Sequence, residues 1–231
     1  MQALNLYSQI EQDLDFSEEI SRLYNQYINI INSKNISKLI DIGCGQGEFL
    51  LHIQQNGIDV FGIDLSSSQI EICKSKNIPC ECIDIKDITS KYDCATAIFD
   101  VINYIPYDDL KQFFSSTYDL LEKNGYFIFD INSLYGFEEI AQGSLNIDKD
   151  DKFISIDAYF EDDILTTQIT LFRKENELFR KEQGFIEQFY YSNTTLIKLL
   201  KQTGFSIEKT IEFNLHDEDN ADKYIFVCKK I

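Results

Sequence analysis

Apolar and polar positions along this chain fall into short runs whose period changes in an ordered way. Ile20, Leu23, Tyr24, Tyr27, Ile30 and Ile31 recur at helical spacing and predict an N-terminal amphipathic helix. A short apolar run from Lys38 to Ile42 predicts a strand that enters a glycine-rich turn. Gln46 to Asn56 follows as a helix with Phe49, Leu50 and Ile53 on one stripe, and Gly57 stands where a left-handed C-cap belongs. Ile58 to Asp64 predicts a second strand. Ser66 can cap a helix to about Lys76, with Gln69 in the capping-box position. A third strand starts at Pro79 and a fourth runs from Asp93 to Phe99. Leu110, Phe113, Phe114, Leu120 and Leu121 mark a helix over Tyr107 to Glu122, Gly125 stops it, and Tyr126 to Ile131 is the fifth strand. Strands alternate with helices throughout this stretch, as a parallel sheet requires.

The alternation then breaks. From Lys152 to Tyr190 the period becomes two. Phe153–Phe160, Ile164–Phe172 and Leu178–Tyr190 read as three antiparallel strands joined by acidic turns. Helical spacing resumes at Ser192 with Leu196, Leu199 and Leu200, and Gly204 ends it. Phe205–Phe213 and Lys223–Cys228 supply two last strands. The expected organisation is one α/β domain, residues 1–149 and 191–231, carrying an antiparallel β insertion over 150–190.

The chemistry concentrates at the strand ends. Gly43, Gly45 and Gly47 alternate in the first turn, and glycine lets a ligand approach the backbone closely. Strand, glycine turn and helix together form a nucleotide cradle. In a dinucleotide fingerprint counted from Gly43, the last glycine position is Glu48. Asp64 lies 21 positions after Gly43, at the tip of the second strand, where a carboxylate can accept from both ribose hydroxyls. Nicotinamide and S-adenosylmethionine enzymes share that geometry. Asp84, with the Ile85 amide beside it, is placed past the third strand to accept from an adenine amino group.

Four segments in order, Asp41-Ile-Gly-Cys-Gly-Gln-Gly47, Gly62-Ile-Asp64, Ile83-Asp-Ile-Lys-Asp87 and Phe99-Asp-Val-Ile-Asn-Tyr104, resemble the class I S-adenosylmethionine-dependent methyltransferases. The resemblance implies a Rossmann-like seven-stranded sheet with the last strand antiparallel. It implies cofactor contacts from Asp41, Gly43, Cys44, Gly45, Gly47, Asp64, Leu65, Asp84, Ile85 and Phe99. The β insertion after strand five resembles the β-capped subgroup, which includes amino-sugar and other small-molecule N-methyltransferases, and there the extra sheet lies over the acceptor side. A homodimer interface is the other use for such a sheet. In this family the N-terminal region often supplies a residue over the methionine end of the cofactor; Tyr7, Arg22 and Tyr24 are the candidates. The implied reaction is in-line methyl transfer to N or O of a small acceptor. Tyr104, just past strand four, and His216, in the last hairpin loop, are the candidate catalytic residues.

Composition narrows the partners. Acids outnumber bases 39 to 21, for a net charge of −18, and no dense basic stripe occurs. Nucleic-acid binding gains most of its affinity from cations on phosphates, so DNA and RNA are disfavoured. The loop Asn103-Tyr104-Ile105-Pro106 also lacks the Pro-Pro step of base methyltransferases. The acidic runs at 146–151 and 217–222 read as solvated loops. No run approaches 18 apolar residues, and the N-terminus has no secretory pattern, so a cytoplasmic protein without a membrane partner is expected. The six cysteines, with no Cys-x-x-Cys pair, read as buried free thiols and not as a metal site. A nucleic-acid methyltransferase, an NAD(P)-dependent oxidoreductase and a non-catalytic cofactor-binding module are the alternatives.

Overall fold

The computed structural model describes residues 2–216 and 220–231, with side chains from Asn5 onward; Asp217, Glu218 and Asp219 of the second acidic run lie outside the described residues. Seven strands form the main sheet: β1 (Lys38–Ile42), β2 (Asp59–Asp64), β3 (Cys80–Cys82), β4 (Tyr92–Ala97), β5 (Leu121–Asn132), and two strands near the C-terminus, Phe205–Phe213 and Lys223–Lys230. Four further strands, β6 (Gly143–Lys149), β7 (Lys152–Glu161), β8 (Ile164–Glu175) and β9 (Leu178–Phe189), make a separate antiparallel sheet, so the C-terminal pair are β10 and β11. The main sheet has the order β10-β11-β5-β4-β1-β2-β3. Strands β1 to β5 run parallel, and β11 is antiparallel to both β5 and β10.

Alternation along the central strands feeds two apolar layers. Ile40, Ala95, Phe127 and Phe129 face a layer with α5 (Tyr107–Leu120) and α6 (Asn193–Gln202). Leu39, Cys94 and Ile128 face the other, built on α2 (Ser17–Asn32), α3 (Glu48–Gln55) and α4 (Ser67–Ser75). The first layer is rich in phenylalanine: Phe127 stacks on Phe129 at 4.7 Å, and Phe129 on Phe226 at 4.9 Å. The cap at Ser66 forms, its Oγ accepting from Gln69 N, but the reciprocal half of the capping box does not: Ser66 N donates to Asp64 and Gln69 Nε2 to Glu11.

Three sequence expectations need correction. The second sheet has four strands and begins at Gly143, not three beginning near 150. Strand β6 escapes the periodicity because six of its seven residues are exposed and Ile147 alone is half-buried. Strand β5 starts at Leu121, which pairs with Tyr92, well before the predicted Tyr126. Cys80 is buried against α4 but Cys82 is exposed, since β3 is a three-residue edge strand whose last residue passes beyond that cover.

The second sheet is tied back in two ways. Its Ile154, Ile169, Leu171 and Ile186 pack on Leu6 and Ile10, which belong to and follow the short helix α1 (Gln2–Tyr7). Asn103, fully buried, donates from Nδ2 to Phe189 O at 2.8 Å and accepts from Asn132 N at 3.0 Å. One amide side chain thus joins the exit of β9 to the end of β5. Asn103→Ala orphans a carbonyl and an N–H in a buried setting, each costing roughly 1–3 kcal/mol. We expect a melting temperature lower by roughly 5–10 °C in scanning calorimetry; a melting curve unchanged from wild type would contradict this role.

Candidate active site

The parallel strands end on one edge, and the glycine loop after β1 is its centre. Gly43, Gly45 and Gly47 all take positive φ, at 75°, 52° and 79°. The amides of Gly43 and Cys44 donate to Ile63 O, which pins the loop to the end of β2. A Cβ on Gly43 would lie 2.8 Å from Val101, and one on Gly47 2.5 Å from Cys73 Sγ. At Gly45 it would meet nothing within 4 Å, so that glycine presents bare backbone to open space. Asp64 braces the loop: Gly45 N donates to its Oδ2 at 3.0 Å and Ser66 N to its Oδ1 at 2.7 Å. Asp41 lies beneath, buried, accepting from Thr96 Oγ1 at 2.6 Å, and burial pushes its carboxyl up to about 7. Cys44 is buried under the loop, its sulfur against the Cα of Gly62.

The other predicted residues surround this loop. Leu65 is 54 % exposed at the tip of β2. Asp84 caps the turn Ile85–Asp87, accepting from Lys86 N at 3.0 Å. Phe99 follows β4 and lies edge-on to Tyr24 at 5.8 Å, with Phe49 on Tyr24 at 5.2 Å. Burial holds the Tyr24 and Tyr7 hydroxyls well above the usual phenol range. Arg22 pairs with Glu19 one turn back on α2. Tyr104 ends the turn Val101–Tyr104 and is 38 % exposed, in a recess deep enough to desolvate its hydroxyl and push it up. Tyr7 and Asp100 act on that hydroxyl electrostatically, as does Glu11. His216 is committed elsewhere: its Nδ1 lies 2.5 Å from Asp222 Oδ2, and its own amide and that of Leu215 donate to the same carboxylate. Tyr159 and Phe185 lie on the sheet face opposite Ile154, Ile169 and Ile186, turned away from α1.

Sequence reasoning missed the group that organises the edge. Asp130 is fully buried at the end of β5. It accepts from Tyr27 Oη at 2.7 Å, Phe99 N at 2.9 Å, Asp100 N at 3.2 Å and Lys223 Nζ at 3.1 Å. Lys223, 2 % exposed, also pairs with Asp100 and donates to Asn132 Oδ1 at 3.0 Å. Burial would lower the Lys223 ammonium, but Asp100 and Asp130 outweigh that and hold it above its usual range. Burial pushes Asp100 up to about 6, against the pull of Lys223. Phe99 and Asp100 are consecutive non-glycine residues at φ 61° and 63°, a strained pair that the Asp130 carboxylate holds through both amides. Those positive angles leave no mark in residue type.

A family model described as a methyltransferase domain matches residues 13–210. The chain belongs to this family of S-adenosylmethionine-dependent methyltransferases. A Geobacillus sp. (strain WCH70) protein named "Putative methyltransferase" is 26 % identical over 211 residues, 84 % of each chain. A solved S-adenosylmethionine-dependent methyltransferase from Clostridium acetobutylicum ATCC 824 superposes with a TM-score of 0.79 at 24 % identity, over 97 % of this chain and 96 % of that one. A sugar N-methyltransferase from Streptoalloteichus sp. ATCC 53650 gives 0.74 at 14 % identity, over 97 % and 92 %. The order and direction of the main-sheet strands agree with the expected fold class. The loop fits the methyltransferase cofactor: Gly45 offers unobstructed backbone, and an acidic strand tip stands beside it.

The Asp41 carboxyl gives this site a pH signature. Burial places its folded pKa at about 7, well above the usual aspartate range, so the folded state holds the proton more tightly. Stability from this group is full below about pH 4 and is lost as pH rises towards 7, by about 4 kcal/mol as an order of magnitude. Asp41→Asn keeps an acceptor for Thr96 and removes the titration. We expect the variant's melting temperature to fall less than wild type's between pH 5 and pH 8; parallel curves would show that Asp41 does not titrate there.

Proposed function

We propose that this methyltransferase transfers the methyl group of S-adenosylmethionine to a nitrogen or oxygen of a small-molecule acceptor, held between Tyr104 and the second sheet. One observation carries the reading: the inserted sheet leaves from the carboxyl end of β5 and is bolted by Asn103 to the turn that ends in Tyr104. Ligands on open α/β sheets bind outside those carboxyl ends. In this reading residues 1–142 and 191–231 hold the cofactor and residues 143–190 make the acceptor wall.

Asp64 would accept from the ribose hydroxyls and Asp84 from the adenine amino group, beside the Ile85 amide and the Leu65 side chain. The loop from Asp41 to Gly47, with Cys44 packed under it, and Phe99 would line the methionine side, where Tyr7 and Tyr24 are the aromatic candidates. The cofactor, when bound, supplies a sulfonium methyl that is already activated. What the chain adds is positioning, worth up to about 7–11 kcal/mol when reacting atoms are held in line. A base is needed only for an acceptor that arrives protonated. Asp100, pushed up to about 6 and adjoining Tyr104, is better placed than His216, whose ring is oriented by Asp222.

The charge supports a small neutral or cationic acceptor over nucleic acid. Lys223, the cation of the edge network, is already matched by Asp100 and Asp130, so it offers little to a phosphate. Tight, salt-sensitive binding of bulk tRNA or duplex DNA in a gel-shift titration would reverse this part of the reading.

Asp64→Ala should weaken S-adenosylmethionine binding by about tenfold or more in calorimetry, the loss of one or two charge-assisted hydrogen bonds; unchanged affinity would remove Asp64 from the cofactor site. The reaction itself is tested by incubating enzyme and cofactor with a fractionated metabolite extract and following new methylated masses. Tyr104→Leu should cut that transfer by about tenfold or more while cofactor affinity stays within about threefold. A loss of cofactor affinity equal to the loss of rate would place Tyr104 in the cofactor site instead.

A further inference from the structure

Glu11 opens the turn Glu11–Asp13 that follows α1, and its side chain reaches across to the glycine loop. Its Oε2 accepts from Gln46 Nε2 at 3.0 Å and from Gln69 Nε2 at 3.3 Å. Gln46 belongs to the loop and Gln69 to the first turn of α4, and both are buried. Two neutral amides thus share one oxygen. The other, Oε1, has no hydrogen bond or ion pair among the described residues, and it is not a buried atom. Half of this carboxylate is therefore spent on position and half is open to a ligand.

Three hydroxyls show where the open half stands. Glu11 acts electrostatically on Tyr7, Tyr24 and Tyr104, which come from α1, α2 and the turn after β4. A carboxylate felt at all three lies on the cleft where the N-terminal segment, the glycine loop and Tyr104 meet. The other charged groups that act on these hydroxyls are Asp41, Glu48 and Asp100, again acids, with no lysine or arginine among them. Lys223, beside Asp100, is already matched by Asp100 and Asp130. The cleft thus presents unbalanced negative charge to whatever enters it. Burial keeps the Tyr7 and Tyr24 phenols protonated, so both remain donors.

We propose that Glu11 is a cofactor-binding residue, whose Oε1 accepts from the α-ammonium at the methionine end of S-adenosylmethionine while the Tyr7 and Tyr24 hydroxyls donate to the α-carboxylate beside it. The assignment rests on the cofactor placement proposed above and adds to it a residue from outside the main-sheet strands and their loops. An ammonium on a carboxylate makes a charge-assisted bond, about twice as strong as one between neutral groups. It also gives the N-terminal segment a reason to close, because the ligand's amino-acid end and the glycine loop then hold the same side chain.

The test is a two-by-two calorimetric cycle: wild type and Glu11→Gln against S-adenosylhomocysteine and its desamino analogue, which keeps the carboxylate and lacks the ammonium. Wild type should bind the desamino compound about tenfold or more weaker. Glu11→Gln should weaken S-adenosylhomocysteine by about tenfold or more, a factor worth ~1.4 kcal/mol, and leave the desamino compound within about twofold. The two losses then fail to multiply, which is the mark of a direct contact. The substitution keeps an oxygen for Gln46 and Gln69, so the melting temperature without ligand should match wild type. In hydrogen exchange, saturating S-adenosylhomocysteine should slow the amides of Leu6 to Asp13 in wild type more than the saturating desamino compound does. Unchanged S-adenosylhomocysteine affinity, an equal loss for both ligands, or equal protection by both would each overturn the assignment. Asp64→Ala is the separate check on the cofactor placement: it should weaken both ligands, and if it weakens neither, that placement fails and this inference with it.

Discussion

The active edge depends on one buried carboxylate. Asp130 lies with no exposed surface among aromatic and aliphatic neighbours, where an unpaired charge would be very costly. Four donors make it tolerable, and they come from three parts of the chain: α2, the two strained residues after β4, and β11. Burying such a group adds little net stability compared with a well-packed apolar core. What it adds is geometry. Phe99 and Asp100 stay at positive φ because both their amides have one acceptor, and the turn that positions Asn103 and Tyr104 starts from there.

Lys223 balances the charge of that edge without spare capacity. Its ammonium faces Asp100, Asp130 and the Asn132 amide oxygen. Two carboxylates against one ammonium leave the cluster short of a positive charge; burial, with Asp130 adding to it, pushes Asp100 up to about 6 against the pull of Lys223. A group poised there changes protonation near neutrality on small changes in its surroundings. The strain, the charge deficit and the partly exposed Tyr104 therefore coincide on one six-residue stretch, Phe99 to Tyr104.

The sequence exposes the glycine loop with Asp64 and hides the Asp130 network, for physical reasons. Three alternating glycines are legible because positive φ favours glycine at all three and close packing adds to it at Gly43 and Gly47, and Asp64 is legible because it stands at a fixed spacing from them. Asp130 and Lys223 look like ordinary strand residues. They meet across 93 positions, and nothing local marks either as buried. Asp100 is hidden because its conformation, not its type, is unusual. The main sheet was legible from alternating periods, down to the Ser66 cap. Strand β6 was not, since an edge strand that buries almost nothing needs no apolar pattern, and six-residue α1 is too short to show a helical stripe.

The short helix α1 and the residues that follow it to Asp13 bridge the two sheets. Six residues are too few for a helix stable in isolation, so α1 owes its order to its contacts. On one side Leu6 and Ile10 fill the apolar face of the second sheet, Gln9 takes a bond from Arg173, and Asp13 receives both Lys149 and Lys152. On the other, Asn5 Oδ1 accepts from Ser66 and Ser68 at the start of α4, and Glu11 accepts from Gln46 of the glycine loop and Gln69 of α4. The exposed lysine pairs are individually worth little. The apolar contacts and the buried polar contacts at the cap are not, and they share one backbone segment. Any change at the glycine loop that alters Gln46 or Ser66 is therefore felt by α1, and through α1 by the inner face of the second sheet. The glycine loop and the second sheet are thus joined through one segment, Asn5 to Asp13, that neither could order alone.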